Sequence, residues 1–220
     1  MLPKSLPLLA VAVAFSFITG CGSNADSEKK PDIALSPQEL AIKTSEHIKE
    51  VLAQYSSQQD PWGDSTHLEN ADLLQQYYSE TDFKTIWSKE GAWQPLADSM
   101  LTFIENARYR GLYPEHYHVA PLTSVKKSIL GDSSGKMQRL DAVLWSKADI
   151  LFTDAFFRLV TDLKKGRLPY DSLSVKKDSL FTSEFYFQQL ATVQHTQKLT
   201  TTFTKLEPVH EGYKELIAAL

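Results

Sequence analysis

Apolar residues recur every three or four positions through residues 140–166, and neither proline nor glycine interrupts this pattern before Gly166. A second apolar set widens the stripe over more than half of the helix circumference, which is typical of a buried helix. At about 1.5 Å per residue, this helix would be roughly 35–40 Å long. Lys164 and Lys165 would face the negative end of its dipole, and Gly166 is expected to adopt a left-handed cap. We therefore predict an all-α domain of several helices packed around one long buried helix.

Shorter helical patterns flank this segment on both sides. Ser36, Pro37 and Glu39 form a capping box that predicts the start of the first helix. Periodic apolar positions predict further helices near 96–107, 121–130, 184–193, 197–206 and 209–220, with Pro121 starting the second of these and a turn at 89–91. The last pattern reaches residue 220 without a cap or a polar tail, which favours an interrupted chain over a completed domain.

The first twenty residues have the pattern of a secretion signal. Lys4 is followed by an apolar run over 6–18, which is short of the roughly 20 residues that a membrane-spanning helix needs. The ending Ile-Thr-Gly-Cys at 18–21 resembles a bacterial lipobox, so we expect cleavage before Cys21 and a lipid on its thiol. Acyl chains contribute about 0.8 kcal/mol per buried CH₂, enough for a stable tether. The alternative is an uncleaved anchor with an incidental cysteine.

Residues 22–36 are polar and offer almost nothing to bury, which predicts a disordered linker. We therefore divide the chain into a signal peptide at 1–20, a lipidated cysteine and linker at 21–36, and a helical domain at 37–220. The net charge of −4, with acids and bases interspersed, leaves no basic surface for nucleic acid. The single cysteine excludes an internal disulfide, a thiolate metal cluster and dithiol redox chemistry.

His116 and His118 form the only close histidine pair in the sequence. Side chains two residues apart on a helix point to different sides, and no HExxH motif accompanies them. We therefore expect no metal and no cofactor, and we expect His118 to be a capping or hydrogen-bonded residue at the end of its loop. The motifs GxSxG and SxxK and a glycine-rich phosphate loop are absent, and acylation would occupy the thiol of Cys21.

Four aspartates lie on the long predicted helix, and paired carboxylates are typical of some hydrolases. They are Asp141, Asp149, Asp154 and Asp162. Asp154 and Asp162 lie within about 80° around the helix axis, but about 12 Å of rise separates them, too far for a general acid/base pair. We predict structural roles for the aspartates, as caps or as partners of Arg158, Arg167 and nearby lysines. Thr153 is expected to donate back to the carbonyl of residue 149 or 150.

Several segments carry a family resemblance, and they are LQQYY at 74–78, FKTIW at 83–87, ARYRGLYPEHYH at 107–118, LFTDAFFR at 151–158, and the segments at 162–167 and 206–216. In this order they resemble the N-terminal helical scaffold domain of YcbB-type L,D-transpeptidases. The third is similar to the family pattern A-x-x-x-G-L-x-P-x-x-Y-H, and the last to L-x-P-x-x-x-x-Y-x-x-L. After Gly166 the family often has Asp-Pro and then a tryptophan, whereas this chain has Leu168 and Pro169 and no tryptophan at 173–181.

The resemblance gives structural roles to the residues that match the family patterns. These residues are Tyr78, Trp87, Gly111, Pro114, Tyr117, His118, Thr153, Asp154, Asp162, Gly166, Arg167, Pro208 and Tyr213. The family's catalytic residues belong to a separate YkuD domain, with a cysteine in an S-x-G-C-x-R-like motif, and this sequence contains no such motif. No catalytic residue of the family can therefore be assigned here.

The resemblance implies a noncatalytic scaffold of a membrane-anchored L,D-transpeptidase, which cross-links peptidoglycan stem peptides 3→3. The chain would be truncated or would act with a separate catalytic domain. The expected partners are the membrane, through the lipid, and peptidoglycan or a YkuD-type domain, in the cell envelope facing the periplasm. A second hypothesis is a surface lipoprotein that binds a glycan or peptide through Trp62, Trp93 and Tyr113, although Trp62 fits a plug at the domain edge. A hydrolase with a carboxylate site is the third hypothesis.

Overall fold

The computed structural model describes residues 30–57, 59–131, 138–166 and 180–219. Within these ranges the chain forms eight α-helices, one small antiparallel hairpin and two 3₁₀ helices. The α-helices are α1 (Pro37–Ser56), α2 (Ala71–Glu80), α3 (Pro95–Glu105), α4 (Val119–Leu130), α5 (Ala142–Lys165), α6 (Ser183–Thr196), α7 (Leu199–Leu206) and α8 (Glu211–Ala219). The hairpin joins β1 (Ser88–Lys89) to β2 (Ala92–Trp93), and the 3₁₀ helices are Ala107–Arg110 and Pro114–Tyr117. The prediction of an all-α, multi-helix domain is confirmed.

Several predictions concern residues outside the described ranges. The signal peptide, Cys21 and the first part of the linker lie there, as does Arg167 of the family motif. Among the described helices, none combines the length and the apolar character that crossing a membrane requires.

The long predicted helix is α5, which has 24 residues and buries most of them. It contacts α1, α2, α3, α4, α6, α7 and the second 3₁₀ helix. The Asp141 side chain caps its first turn by accepting from the amide of Val143 at 3.2 Å. Gly166 ends it at φ 78° and ψ 171°, so this glycine has the positive φ expected but not the predicted left-handed cap. The central place of α5 is confirmed, since all the other large helices of the core pack on it.

Aromatic rings fill the interior around α5. Phe152 and Phe156 lie against the indole of Trp87 at centroid distances of 5.3 and 6.3 Å, and Phe156 also lies 5.3 Å from Phe203 of α7. The ring of Phe157 lies 5.7 Å from that of Tyr186 on α6. Such pairs contribute roughly 0.5–1.5 kcal/mol each beyond the area they bury. The second apolar set on α5 therefore joins the segment before the hairpin, α6 and α7 into one core.

The first helix begins as predicted, with one difference in its capping box. Ser36 Oγ accepts from the amide of Glu39 at 3.1 Å, and Pro37 occupies the first helical position. The carboxylate of Glu39 turns back to the amide of Leu35, at 2.8 Å. In the usual capping box this carboxylate would accept from the N-cap residue itself.

Residues 30–36, which we call the N-terminal strap, lie against the start of α5. Ile33 forms an antiparallel bridge with Asp141, and Ala34 donates its amide to the carbonyl of Leu140 at 2.8 Å. Ala34 is buried, and the carbonyl of Asp32 accepts from the amide of Ala142 at 2.8 Å. The prediction of a linker that extends to residue 36 is therefore wrong for its last five residues, because backbone pairing fixes them without any apolar pattern.

Ion pairs also hold the strap to α1. The carboxylate of Asp32 bonds to Lys43 Nζ at 2.7 Å and to His47 Nε2 at 3.0 Å. The hydrogen bond from Lys43, followed by that from His47, lowers the pKa of Asp32, and the pairing with Asp32 raises the pKa of Lys43. These groups are partly exposed, so each pair contributes little by itself.

The predicted helices differ from the observed ones mainly at their ends. α4 begins at Val119 and not at Pro121, because a proline in the first turn costs no hydrogen bond there. The predicted turn at 89–91 closes a hairpin, in which Glu90 and Gly91 have φ values of 52° and 71°, as a type I′ turn requires. The C-terminal amphipathic pattern does form α8, but none of the described residues of this helix is buried.

Replacing Leu151 with alanine tests the central position of α5. Leu151 is fully buried in the core, so Leu151→Ala should lower the free energy of unfolding by about 2–5 kcal/mol. Urea denaturation followed by circular dichroism measures this difference. The matched control is Leu216→Ala on α8, where the side chain is 67% exposed and the change should stay within about 0.5 kcal/mol. Equal stabilities for Leu151→Ala and the unchanged protein would contradict the packing described here.

Candidate functional site along the central helix

The polar residues of α5 form three clusters, and each cluster fixes a different neighbouring segment. The clusters centre on Asp149, Asp154 and Asp162, and Asp149 and Asp154 are fully buried. Buried carboxylates are costly unless hydrogen-bond donors reach them. The donors therefore identify the parts of the chain that these carboxylates hold.

The Asp149 cluster holds the segment between α2 and the hairpin. The carboxylate accepts from the backbone amides of Ile86 and Trp87 at 3.0 Å each, and from the hydroxyl of Tyr78 at 2.7 Å. Thr153 Oγ1 lies 2.8 Å from this hydroxyl and accepts from the Trp87 indole at 3.0 Å. Thr153 also donates to the carbonyl of Asp149 at 2.9 Å, which confirms the predicted bond to the preceding turn.

Burial raises the pKa of Asp149 to about 6, although the bonds from Tyr78 and from the amides of Trp87 and Ile86 act in the opposite direction. The hydrogen bonds can be satisfied in both protonation states of Asp149. The ionised carboxylate accepts from the Tyr78 hydroxyl, whereas a proton on Oδ1 can be donated to Tyr78, which then donates to Thr153. Burial and the nearby charge of Asp149 raise the pKa of Tyr78 as well, so its hydroxyl stays protonated.

The Asp154 cluster holds the start of α2 and the end of the second 3₁₀ helix. Its carboxylate accepts from the backbone amide of Asn70 at 2.9 Å, from the Asn70 side chain at 3.0 Å and from the amide of Glu69 at 3.3 Å. His118 Nε2 lies 2.7 Å from the same carboxylate. His118 occupies the N-cap position of α4 without a capping bond from its side chain, so it is the hydrogen-bonded residue of the two predicted alternatives.

The third cluster, around Asp162, is more open. Tyr117 donates its hydroxyl to Asp162 at 2.7 Å, and Arg158 Nε lies 3.9 Å from the same carboxylate. Arg158 also bonds to Glu69 at 2.8 Å. Asp141 is a cap and Asp162 pairs with Arg158, as predicted, whereas Asp149 and Asp154 bond to no lysine or arginine among the described residues. These two bond to backbone amides, hydroxyls and a histidine, because these donors are cheaper to bury than a lysine or an arginine.

The remaining motif residues shape turns and a contact with α8. Gly111 ends the first 3₁₀ helix in the left-handed region, at φ 70° and ψ 19°, and Pro114 is buried where it begins the second. Pro208 is exposed, whereas Tyr213 is half-buried and has a pKa that burial raises. Arg110 bonds to Glu207 at 2.8 Å and so links the first 3₁₀ helix to the residue after α7.

The three aromatic residues of the alternative hypothesis occupy different environments. Trp62 is only 4% exposed and lies edge-on to Tyr55, as a plug at the domain edge would. Trp93 is half-buried against Trp145 and Phe152. Tyr113 is 63% exposed. A stacking platform made of all three rings therefore does not exist in this fold.

No group of three or more histidine, cysteine, aspartate or glutamate residues is arranged to hold a metal ion within the described ranges. His116 and His118 contact different residues. His118 bonds to Asp154, and the ring of His116 lies edge-on to Tyr113. The three clusters fix neighbouring segments of the chain to the central helix.

Sequence analysis missed two sets of partners. Asn70 gives Asp154 both its backbone amide and its side chain, and its position before α2 was the available signal, because asparagine is common at helix starts. The amides of Ile86 and Trp87 carry no signal in the sequence, since any residue type could supply them.

These features define an all-helical domain whose central helix is fixed to its neighbours by buried polar contacts. A family model described as Scaffold domain matches residues 72–220, and the chain belongs to the Scaffold domain family. The match covers all of the segments on which the family resemblance rests, and it includes Asp149, Asp154 and Asp162. No curated protein and no solved structure matches the chain.

Replacing Asp154 with alanine should destabilise the fold. Asp154→Ala leaves the amide of Asn70 and the ring of His118 without their acceptor, at a cost of about 2–5 kcal/mol in the free energy of unfolding. Urea denaturation measures the loss, and hydrogen exchange at the Asn70 amide should accelerate. Asp98→Ala is the matched control, since Asp98 is half-exposed and its bonds to Lys126 and to the Trp93 indole lie at the surface, so its loss should be below about 1 kcal/mol. Similar losses for both variants would contradict the anchoring role.

Asp149 should make the stability of the fold depend on pH between about 4 and 6. The pKa of Asp149 is about 6 in the folded protein, against an ordinary value of 3.8. As the pH rises through this window, the unfolded chain releases the proton first, so the folded state loses stability, by up to about 2–3 kcal/mol. Asp149→Asn should lack this loss, because an amide cannot release a proton.

The measurement compares the free energies of unfolding of the original and Asp149→Asn proteins at pH 4 and pH 7. The difference between the two proteins isolates Asp149 from other carboxylates, and exposed Asp72→Asn on α2 serves as the control. A difference that does not change with pH would show that the carboxyl of Asp149 does not titrate in this window.

Proposed function

We propose that this chain is the noncatalytic helical scaffold of a membrane-anchored L,D-transpeptidase that takes part in peptidoglycan cross-linking. The observation that carries the proposal is the Scaffold domain match over residues 72–220. It coincides with segments that resemble the scaffold of YcbB-type enzymes. The catalytic domain is either the missing part of a longer gene product or a separate protein.

The anchoring clusters support a role in holding and positioning. The carboxylates of Asp149 and Asp154 are buried and accept hydrogen bonds from segments of the same chain. They are therefore unsuited to contact a substrate. Rigid elements position a neighbouring active site more precisely than loops do. A helix bundle whose central helix α5 is fixed to its neighbours by three clusters is suited to positioning a catalytic domain.

α8 supplies a candidate contact surface for the catalytic domain. Leu216 is 67% exposed, and Val209, just before this helix, is 91% exposed. The salt bridge between Arg110 and Glu207 fixes the chain just before this surface. Contiguous exposed apolar surface often marks a site that binds another domain, and these two side chains are the candidates for such a surface.

The N-terminal strap supports a position close to the membrane. Ten residues separate Cys21 from Asp32, where the strap is first held to α1. Even a fully extended chain of this length spans no more than roughly 40 Å. With a lipid on Cys21, the scaffold would remain near the membrane surface in the cell envelope, facing the periplasm.

Muropeptide analysis of cells that lack the gene tests the proposal. We expect fewer 3→3 cross-linked dimers, restored by the full-length gene but not by a Cys21→Ser version, because that version cannot carry the lipid. Ser23→Ala, two residues further on, is the matched control and should restore the dimers. An unchanged dimer content after deletion would refute the proposed function.

The noncatalytic assignment has its own readout. The purified protein alone, incubated with tetrapeptide muropeptides, should produce no 3→3 dimers. Adding an L,D-transpeptidase catalytic domain encoded in the same genome should produce them. Dimers formed by the protein alone would show that this chain is itself an enzyme.

A further inference from the structure

A cleft of about 680 Å³ lies between the N-terminal strap, the loop at 60–66, α4 and the first turns of α5. This volume is within the range of small-ligand sites, about 300–1,000 Å³. Trp62, Val125, Val143 and Leu144 supply apolar lining. None of the three anchoring clusters opens into it, so the cleft is a separate feature of the fold.

The acidic groups of the cleft are already occupied. Asp141 is only 2% exposed, caps α5 through the amide of Val143 and pairs with Arg139 at 2.9 Å. Asp64 accepts from the amide of Thr66 at 3.1 Å and pairs with Lys147. These carboxylates therefore have little capacity left to accept from a ligand.

The remaining polar groups of the cleft are mostly donors. A guanidinium has five N–H donors, and the Arg139 side chain is 45% exposed, with Asp141 as its one ion-pair partner among the described residues. Lys30, at the edge of the strap, adds a second exposed cation. Ser124 on α4 adds an exposed hydroxyl. The cleft therefore favours a ligand that is rich in acceptors and negatively charged.

Trp62 adds an independent observation. Its indole N–H is buried and donates to no acceptor among the residues that the structure describes. An unpaired buried donor costs about 1–3 kcal/mol, and an acceptor in the cleft reaches this one only when the side chains around it move. Lys147 lies 5.1 Å from the centre of the same ring, so the indole and a cation are adjacent where the cleft meets α5.

We propose that this cleft binds a short peptide that carries free carboxylates and small apolar side chains. The cations match the carboxylates, and the apolar lining matches methyl groups. Given the proposed function, on which this identification rests, the ligand is the stem peptide of peptidoglycan, which combines carboxylates with alanine methyls. The scaffold would then hold a stem peptide close to the catalytic domain that it positions.

Isothermal titration calorimetry tests the proposal on the mature full-length lipoprotein in detergent. The probe is the free tetrapeptide L-Ala-γ-D-Glu-diaminopimelate-D-Ala. We expect binding that weakens about tenfold or more in Arg139→Gln, because a charge-assisted hydrogen bond is lost. The tetrapeptide with amidated carboxyls should bind at least tenfold more weakly to the unchanged protein. No binding of the tetrapeptide, or equal binding of its amide, would overturn the proposal.

Ser124→Trp provides a second variant that does not touch an ion pair. Its indole would fill the cleft from the exposed face of α4 and should abolish binding. Thr123→Trp is the matched control, since Thr123 is exposed on the same helix outside the cleft lining, and binding should be unchanged. Equal affinities for the two tryptophan variants would place the ligand elsewhere.

Trialanine with a free C-terminal carboxylate distinguishes the stem peptide from other peptides. Affinity for trialanine equal to that for the tetrapeptide would overturn the identification of the ligand as a stem peptide. The outcome is separable from the proposed function, which depends on 3→3 dimers in cells. If deletion removes the dimers but the tetrapeptide does not bind, the cleft proposal fails alone.

Discussion

The buried carboxylates of α5 impose the constraint on which the other contacts of the bundle depend. Asp149 and Asp154 lie five residues apart and are both fully buried, so each needs several donors in the core. The backbone donors come from segments that have no regular structure of their own, the residues before α2 and those before the hairpin. An apolar core alone would not fix the positions of such segments. A buried carboxylate does, because it is stable only where the donors of the segment reach it and is left unpaired in any other arrangement.

This requirement explains why the motif residues are scattered along the chain. Tyr78, Trp87 and His118 lie on three different elements, yet their polar atoms all meet Asp149, Thr153 or Asp154. The same side chains also fill the core, because Trp87 packs on Phe152. A change at any of them would therefore remove packing contacts and also leave a buried polar group unpaired.

The sequence predicts the helices and the core of this fold well, because apolar periodicity depends only on nearby residues. α5 was found from its two apolar sets, and the Ser36 cap from its spacing to Glu39. The donors to Asp149 could not be predicted, since backbone amides are common to all residue types. The order of the strap is not predictable for a related reason. Ile33 and Ala34 are held by backbone pairing, which composition does not reveal.

The cleft beside α4 also depends on the balance of hydrogen-bond donors and acceptors, but here the donors are in excess. At Asp149 and Asp154 the acceptors are buried and every donor is supplied by the chain. At the cleft the acceptors are the groups already satisfied, through Asp141 and Asp64, and donors remain on Arg139 and Trp62. Donors and acceptors therefore match around Asp149 and Asp154, whereas unmatched donors remain at the cleft. An anionic ligand rich in acceptors would correct the imbalance, and a cationic ligand would increase it.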